Sequence, residues 1–509
     1  MAGKVYLVGA GPGDPKLMTL KGKECIARAD VVLYDRLAGD HFLAYARPEA
    51  ELIYVGKDPE HHAVDQGAIN ALLVQKAGEG KVVVRVKGGD PFLFGRGGEE
   101  AEALVEHGIP YEVVPGVTSA IAAPAYAGIP LTHRDCSSSV GIFTGREREG
   151  KELTSLDWAR IATGLETLVF LMGMKNLEFI ASRLMAHGRS ADTPVALVRW
   201  GSRPEQETLV GRLGDIAERA REAGFRPPAA IVVGEVVRLR EKLRWFESRP
   251  LFGRRVLVTR SRAQASALCE RIEELGGEAI EFPVIRILPP ESYEPLDRAI
   301  EALPGYRWAV FTSANGVEYF FDRLEHLGKD ARSLAGVRVC AIGPQTARGL
   351  RARGIRPDLV PGEYRAEAIL EGLRDSLAPG DRVLMARADL AREFLPRELR
   401  RLGVEVVEVV AYRTGREVAG GEEIRHRLEE GEIHAVTFTS SSTVKNFLQA
   451  LGEGAAGLLR GVTVACIGPV TADTARQMGV RVDVVPEEYT IPGLVEALAR
   501  SLAGGIDGR

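Results

Sequence analysis

The sequence predicts an α/β protein, with a two-domain N-terminal half followed by a two-lobed C-terminal half. Three observations lead to this fold class. A nearly continuous β-branched run at 82–86 leads into a glycine-rich loop, and further apolar segments of strand length alternate with helical or polar stretches as far as residue 240. Beyond residue 252 the sequence repeats itself, and each copy again alternates strands with helices. Such alternation is typical of sheets with helices packed on their faces.

The segment Val82–Gly98 reads VVVRVKGGDPFLFGRGG, a buried-strand pattern that continues directly into a glycine-rich loop with one acid. Its valines favour a parallel strand covered on both faces. Gly88 and Gly89 allow a tight turn or a close approach to a ligand, and Asp90 precedes a proline. We therefore expect a ligand-binding strand end here, with a plain strand-to-helix turn as the alternative.

The N-terminal segment KVYLVGAGPG (4–13) imitates a dinucleotide-binding unit, because a helical pattern at 17–29 and a strand pattern at 30–35 follow it. A GxGxxG fingerprint requires glycine or alanine at position 14, but Asp14 and Pro15 stand there. An acid at that position repels phosphate, and Pro12 removes one amide donor. The pattern favours a ligand without phosphate over NAD.

Four further strand patterns indicate a second α/β domain, with a major boundary near 246–252 where charge, aromatic residues and Pro250 interrupt the pattern. Near its start, Arg134, Arg146 and Arg148 are either partners for substrate carboxylates or solvated surface charges. The four strand patterns are VGIFTG (140–145), TLVFLMG (167–173), PVALVRW (194–200) and AAIVVGEVV (229–237).

The C-terminal half contains an internal repeat. RVLVTR (255–260) matches RVLMAR (382–387), and FTS (311–313) matches FTS (438–440), in both cases at a spacing of 127 residues. AIGPQTA (341–347) matches CIGPVTA (466–472) at a spacing of 125. The repeat predicts two similar α/β lobes, with extended segments at 281–287 and 405–414 where the chain passes between them.

Composition excludes several classes of function. A net charge of −4 favours no general attraction to nucleic acid, so anionic substrates need local Arg and Lys clusters. The five cysteines form no CxxC pair, which indicates neither a zinc site nor a disulfide framework, and we expect no metal. No apolar run approaches the roughly 18 residues of a membrane span. We therefore expect a cytoplasmic protein without export or anchor.

Several long motifs occur in order in the N-terminal half. They are GAGPGDP (9–15), TLKG (19–22), YDRL (34–37), VGK (55–57), VKGGDPFLFGRG (86–97) and PGVTSAIAAPAYAGIPLTHR (115–134). Through these motifs, residues 3–245 resemble the S-adenosylmethionine uroporphyrinogen-III C-methyltransferases. Met18 is a small departure, since the family more often has leucine there.

This resemblance implies a tetrapyrrole methylase fold with domains at 1–114 and 115–246, S-adenosylmethionine bound in the cleft between them, and a homodimer formed through this half. It assigns Asp35 as proton acceptor and Lys57 as proton donor. Both roles suit a reaction in which a pyrrole carbon takes the methyl group and a proton must then leave. The alternative is that Asp35 caps a turn and Lys57 is a surface charge. The donor contacts that it implies are Pro12, Gly88, Gly89, Asp90, Leu93, Thr118, Ser119, Met172 and Gly201.

Residues 253–500 resemble uroporphyrinogen-III synthase through FTSANGV, AIGPQTA, VVAYRT, FTSSSTV and CIGPVTA in this order. The resemblance implies a two-lobed synthase fold, with one lobe at 253–285 plus 413–500 and the other inserted at 286–412. It places Tyr412 closest to a catalytic role, with a packing tyrosine as the alternative. The cleft-facing substrate groups that it implies are Thr312, Ser313, Thr346, Ser440, Ser441 and Thr471, each of which could instead be only a helix N-cap.

The two resemblances together predict a bifunctional enzyme of tetrapyrrole biosynthesis. The C-terminal half would cyclise hydroxymethylbilane to uroporphyrinogen III, and the N-terminal half would methylate that product at C2 and C7 to precorrin-2. Three alternatives stay open: a tetrapyrrole or diphthine methyltransferase with another substrate, a C-terminal half that senses tetrapyrroles without catalysis, and an NAD oxidoreductase.

Overall fold

The computed structural model describes residues 3–35, 41–56, 65–145, 156–260, 262–363, 365–389, 391–416 and 420–503. The chain divides into two compact units. The first is built mainly from the chain up to Arg254, and the second from Arg255–Arg271 and Ala279–Ser501. Within the described residues, no helix combines the length and apolar character needed to cross a bilayer.

The first sheet of the N-terminal unit is entirely parallel, with strand order β3-β2-β4-β1-β5. Its strands are β1 (Lys4–Gly9), β2 (Val31–Tyr34), β3 (Glu51–Tyr54), β4 (Val82–Lys87) and β5 (Tyr111–Val114), and its helices are α1 (Leu20–Arg28), α2 (Gln66–Gly78) and α3 (Gly97–Glu106). Val83 packs in one apolar cluster and Val84 and Val86 in another, on opposite faces of β4. All three are fully buried, which confirms the predicted central strand covered on both faces.

The second sheet of this unit is mixed, with strand order β6-β7-β10-β8-β9. Only β6 and β7 run parallel, and the other neighbours are antiparallel. The strands are β6 (Val140–Thr144), β7 (Thr167–Leu171), β8 (Pro194–Arg199), β9 (Glu207–Arg212) and β10 (Ala229–Val233), and the helices are α4 (Ser119–Tyr126), α5 (Trp158–Gly164), α6 (Leu177–Ala186), α7 (Ile216–Glu222) and α8 (Arg240–Leu243).

One prediction for this sheet was wrong, and one strand was not predicted. The strand expected to continue to residue 237 ends at Val233, because Gly234 adopts φ 146° and a 3₁₀ helix, Glu235–Leu239, begins after it. The edge strand β9 was missed, because no continuous apolar run marks it and most of its residues are exposed or half-buried.

The C-terminal unit contains two sheets. Its strands are β11 (Arg255–Val258), β12 (Glu278–Glu281), β13 (Ile285–Leu288), β14 (Trp308–Phe311), β15 (Arg338–Ala341), β16 (Arg382–Ala388), β17 (Glu405–Arg416), β18 (Ala435–Phe438) and β19 (Thr463–Cys466). One sheet has the order β12-β11-β18-β19 and the other β13-β17-β16-β14-β15. The long strand β17 pairs with β16 in parallel and then with β13 in an antiparallel ladder from Arg413 to Arg416.

Helices separate all successive strands of this unit except β12 and β13. They are α9 (Arg262–Glu274), α10 (Glu294–Glu301), α11 (Ala314–His326), α12 (Pro344–Ala352), α13 (Ala366–Arg374), α14 (Phe394–Arg401), α15 (Gly421–Glu429), α16 (Ser441–Leu451), α17 (Ala455–Leu458), α18 (Pro469–Gln477) and α19 (Ile491–Ala503).

The internal repeat appears in the structure as a repeated local contact. The Asp358 Oδ2 accepts from the Val339 N–H at 2.7 Å, and the Asp483 Oδ2 accepts from the Val464 N–H at 3.0 Å. Both members of the second pair lie 125 residues after those of the first (464 minus 339 and 483 minus 358). The two sheets therefore share one plan, as the sequence repeat predicted.

Candidate functional site

A cavity of about 550 Å³ lies within the N-terminal unit and is lined by loops that follow strands of both its sheets. The structure brings all nine predicted donor contacts to the wall of this one cavity. They are Pro12, Gly88, Gly89, Asp90, Leu93, Thr118, Ser119, Met172 and Gly201. Their contact with a methyl donor stays a prediction.

Glycine is required where the first-sheet loops meet beside this cavity. Gly11 and Gly89 form a two-residue antiparallel bridge, with N···O distances of 3.2 and 2.7 Å, and both have positive φ. A Cβ on Gly9 would lie 2.6 Å from the Gly89 carbonyl oxygen and from Gly116 Cα. The loops that follow β1, β4 and β5 therefore approach one another so closely that a side chain at these glycines would collide with neighbouring backbone.

Asp90 holds the shape of its own loop. Its Oδ1 accepts from the N–H groups of Phe92 and Leu93, at 2.8 and 2.9 Å, and its Oδ2 accepts from Gly116 N–H at 3.1 Å. The carboxylate thus joins the loop after β4 to the loop after β5. In the structure this carboxylate accepts hydrogen bonds from backbone N–H groups. A contact with the methyl donor would come in addition to them.

Backbone strain is concentrated around the same cavity. Among described residues, those other than glycine with positive φ are Phe94, Arg96, Met172, Trp200 and Ser202, with φ between 49° and 75°. Phe94, Met172 and Trp200 line the cavity, and the other two lie within two residues of a lining residue. Left-handed backbone is costly at residues with bulky side chains, and residues strained in this way cluster at functional sites. The sequence carried no signal for these conformations.

Asp14, which argued against a dinucleotide site, joins the first glycine loop to the part of this unit that contains the second sheet. Its N–H donates to the Ser202 Oγ at 3.1 Å, and its Oδ2 accepts from the Tyr126 hydroxyl at 2.7 Å. Burial, and then this hydrogen bond, raise the pKa of Tyr126, so the phenol stays a donor. Next to this contact, the Arg203 guanidinium stacks over Trp200 at 4.9 Å and lines the cavity. No motif in the sequence predicted a role for Ser202, Trp200 or Arg203.

Asp35 follows β2 directly and is partly buried, and its Oδ2 accepts from the Arg85 Nη2 at 3.0 Å. The neighbouring strand β4 leads into Gly88, so Asp35 and the cavity loops share the carboxyl edge of one sheet. Lys57, Arg146 and Arg148 lie outside the described residues, and Arg134 is exposed.

In the C-terminal unit, the predicted substrate groups fall at the carboxyl ends of strands in two separate sheets. Thr312, Ser313 and Thr346 follow β14 and β15, whereas Ser440, Ser441 and Thr471 follow β18 and β19. Thr346 is 4% exposed and Thr471 is 5% exposed, so both hydroxyls lie largely inside the protein.

The alternative reading as helix caps is observed at two of these positions. The Ser313 Oγ accepts from Gly316 N–H at 2.9 Å, and the Ser440 Oγ accepts from Thr443 N–H at 3.3 Å. Ser441 instead accepts a hydrogen bond from the Thr474 hydroxyl at 2.7 Å. A capping hydroxyl still has a free lone pair or proton, so capping and substrate binding are compatible.

Tyr412 lies on β17 and is 7% exposed. Its hydroxyl donates to the Ser313 Oγ at 3.0 Å, so the structure brings together two residues that the sequence predicted separately. Burial raises the pKa of this phenol, which therefore keeps its proton at neutral pH.

Comparison with known proteins finds two family models, one in each half. The model of tetrapyrrole (corrin/porphyrin) methylases matches residues 4–217, and that of uroporphyrinogen-III synthase HemD matches residues 266–496. The porphyrin biosynthesis protein HemD of Ruminiclostridium josui is 40% identical over 504 residues, which cover 99% of each chain.

Two further relatives match the N-terminal half. The uroporphyrinogen-III C-methyltransferase of Priestia megaterium is 52% identical over 235 residues, which cover 46% of this chain and 98% of the relative. The solved uroporphyrin-III C-methyl transferase of Thermus thermophilus, complexed with S-adenyl homocysteine, is 43% identical. That match covers 47% of this chain and 100% of the solved chain, with a TM-score of 0.41.

Proposed function

Because this chain belongs to the tetrapyrrole methylases over its N-terminal half and to the uroporphyrinogen-III synthases over its C-terminal half, we propose that it catalyses two consecutive steps of tetrapyrrole biosynthesis. The C-terminal half closes hydroxymethylbilane with inversion of the last ring, giving uroporphyrinogen III. The N-terminal half methylates that product at C2 and C7, giving precorrin-2.

The observation that carries the methyltransferase proposal is the cavity, where the predicted donor contacts and the strained backbone coincide. Its volume lies within the range of about 300–1,000 Å³ that is usual for small-molecule sites. Its wall combines glycine-loop backbone and the Thr118 and Ser119 hydroxyls with an apolar side that includes Leu93 and Met172.

This wall suits S-adenosylmethionine, which joins an adenosine to an amine, a carboxylate and a sulfonium. It does not offer a phosphate nest, since Asp14 and Pro12 stand in the first glycine loop. When bound, the donor supplies the methyl group as an electrophile. The protein holds it through backbone and hydroxyl groups and excludes water with the apolar side of the cavity.

Asp35 accepts the proton that the cationic ring system loses after methyl transfer, and Lys57 supplies a proton to the tetrapyrrole. Support for the first role comes from the position of Asp35 at the carboxyl edge of the sheet that carries the donor loops. Arg85 holds one carboxylate oxygen at 3.0 Å.

In the synthase half, Tyr412 protonates the hydroxyl that leaves hydroxymethylbilane. The resting phenol is neutral, so it holds this proton without the cost of a buried charge. When it donates the proton, water leaves, and the phenolate is balanced by the cation that the loss of water leaves on the bilane. The hydrogen bond to Ser313 supports this role, because it places the phenol hydroxyl beside a second predicted substrate group.

The test of the proposed function is a single incubation of the whole chain with hydroxymethylbilane and S-adenosylmethionine, analysed by mass spectrometry and isomer chromatography. We expect a product that carries two added methyl groups. Without S-adenosylmethionine, uroporphyrinogen III should accumulate instead. Only the type I isomer, which forms without ring inversion, would rule out the synthase, and unmethylated type III isomer in the presence of the donor would rule out the methyltransferase.

The domain boundaries, the homodimer formed through the methyltransferase half and the cytoplasmic location remain predictions from the sequence.

A further inference from the structure

A cluster of buried charges lies directly behind Asp35. Arg85 and Lys87 point to one face of β4 and are 4% and 5% exposed, and Glu100 on α3 is fully buried. The Glu100 Oε1 is 2.7 Å from the Lys87 Nζ, 3.3 Å from the Arg85 Nε and 3.2 Å from the Gln66 Nε2. Val83 precedes Arg85 by two residues on the same face of β4, and it packs in an apolar cluster as expected of a buried strand. Arg85 and Lys87 depart from that pattern.

Such a cluster is a poor device for stability. Removing charges from water is costly, and well-packed apolar residues of similar size often stabilise a protein as much or more. The Glu100 Oε2 is also buried, and it has no hydrogen-bond partner among the described residues. The cluster therefore calls for an explanation other than packing.

Geometry connects the cluster to Asp35 through one guanidinium. Arg85 uses all three of its guanidinium nitrogens. Nη2 donates to the Asp35 Oδ2, Nε donates to the Glu100 Oε1, and Nη1 donates to the Val86 carbonyl oxygen at 2.8 Å. All three nitrogens are thus engaged, and the planar group has one orientation. Lys87 supplies the second positive charge, although burial and then the nearby Arg85 charge lower its pKa.

We propose that Arg85 is a positioning residue for methyl transfer, which Glu100 and Lys87 hold in place so that Arg85 fixes the direction of the Asp35 carboxylate. This inference rests on the proposed function of Asp35 as proton acceptor. A proton acceptor must be held to within about 0.5 Å and 10–20° of its productive geometry, and buried partners whose own positions are fixed achieve this. Arg85, Lys87 and Glu100 leave the donor cavity itself untouched, since none of them lines it.

The test is a double-mutant cycle with Glu100→Gln and Asp35→Asn, in which kcat, KM for uroporphyrinogen III and affinity for S-adenosylhomocysteine are measured. Glu100→Gln keeps the shape of the side chain but removes the charge that holds the guanidinium. We expect kcat to fall by about five- to ten-fold, with KM and donor-site affinity within about two-fold. In the Asp35→Asn background the same change should have no further effect on kcat, because the group that it positions is already inactive.

The matched control is Glu102→Gln, which removes an exposed carboxylate from the same helix and should leave kcat unchanged. If Glu100→Gln does not fold, Arg85→Lys replaces it in the cycle, because one ammonium cannot reproduce contacts made by separate guanidinium nitrogens. A loss of kcat that persists in full in the Asp35→Asn background overturns the positioning role. A fully active Asp35→Asn single variant would instead reject the proposed function of Asp35.

Discussion

Asp35→Asn should slow methyl transfer by about 100-fold or more, the usual scale for losing a general base. Asparagine has the shape of aspartate, and its oxygen can still accept from the Arg85 Nη2, so the edge of the sheet should keep its structure. The amide cannot accept the proton that the tetrapyrrole must lose after methyl transfer. We therefore expect the chemical step to fail while donor affinity stays within about three-fold of the original value.

Single-turnover methylation of uroporphyrinogen III, together with calorimetric titration of S-adenosylhomocysteine, separates these two quantities. A loss of donor affinity as large as the loss of rate would make Asp35 a binding residue. Methylation at the original rate would leave the carboxylate with a structural role only, as the partner of Arg85.

Tyr412→Phe should slow the cyclisation of hydroxymethylbilane by about ten-fold or more, which corresponds to about 1.4 kcal/mol in the activation free energy. The substitution keeps the buried ring and removes only the hydroxyl that donates to Ser313. The loss of that hydrogen bond should lower the free energy of unfolding by about 0.5–1.5 kcal/mol, so the variant should remain folded. Hydroxymethylbilane consumption and the ratio of type III to type I product are the quantities to measure.

The matched control is Tyr319→Phe, since the Tyr319 ring lies 5.9 Å from the Tyr412 ring and carries its own hydroxyl. We expect this control to cyclise its substrate at the original rate. The alternative that Tyr412 only packs is a real one, because the corresponding position of the repeat is Ile285 and Tyr412 belongs to an apolar cluster. Equal rates for Tyr412→Phe and the unmodified chain would establish that alternative.

The sequence predicted strands best where a continuous run of residues is buried. The run Val82–Val86 is apolar on both faces apart from Arg85, and the structure confirms it as a central parallel strand. The edge strand β9 was missed because exposed edges need no such run. The end of β10 was misplaced because valines after Gly234 have strand propensity, whereas the backbone of that glycine turns the chain into a 3₁₀ helix.

The candidate site was predictable only in part. Motif resemblance identified residues that the fold gathers around one cavity, but it could not give the contact between Asp14 and Ser202, which are 188 residues apart. The left-handed backbone at Trp200 is imposed by surrounding structure and not by local propensity. The burial of Glu100 was also not predicted. A glutamate near the start of a helix is usually a solvated charge that interacts favourably with the helix dipole.

The central claim, that each half carries a complete active site of its own, is tested most directly by assaying residues 1–246 and residues 252–509 as separate proteins. The account predicts that the first fragment methylates uroporphyrinogen III and does not cyclise hydroxymethylbilane, and that the second does the reverse. Fragments that are soluble and folded but show activity only when mixed would contradict the claim, because each active site would then need groups from both halves.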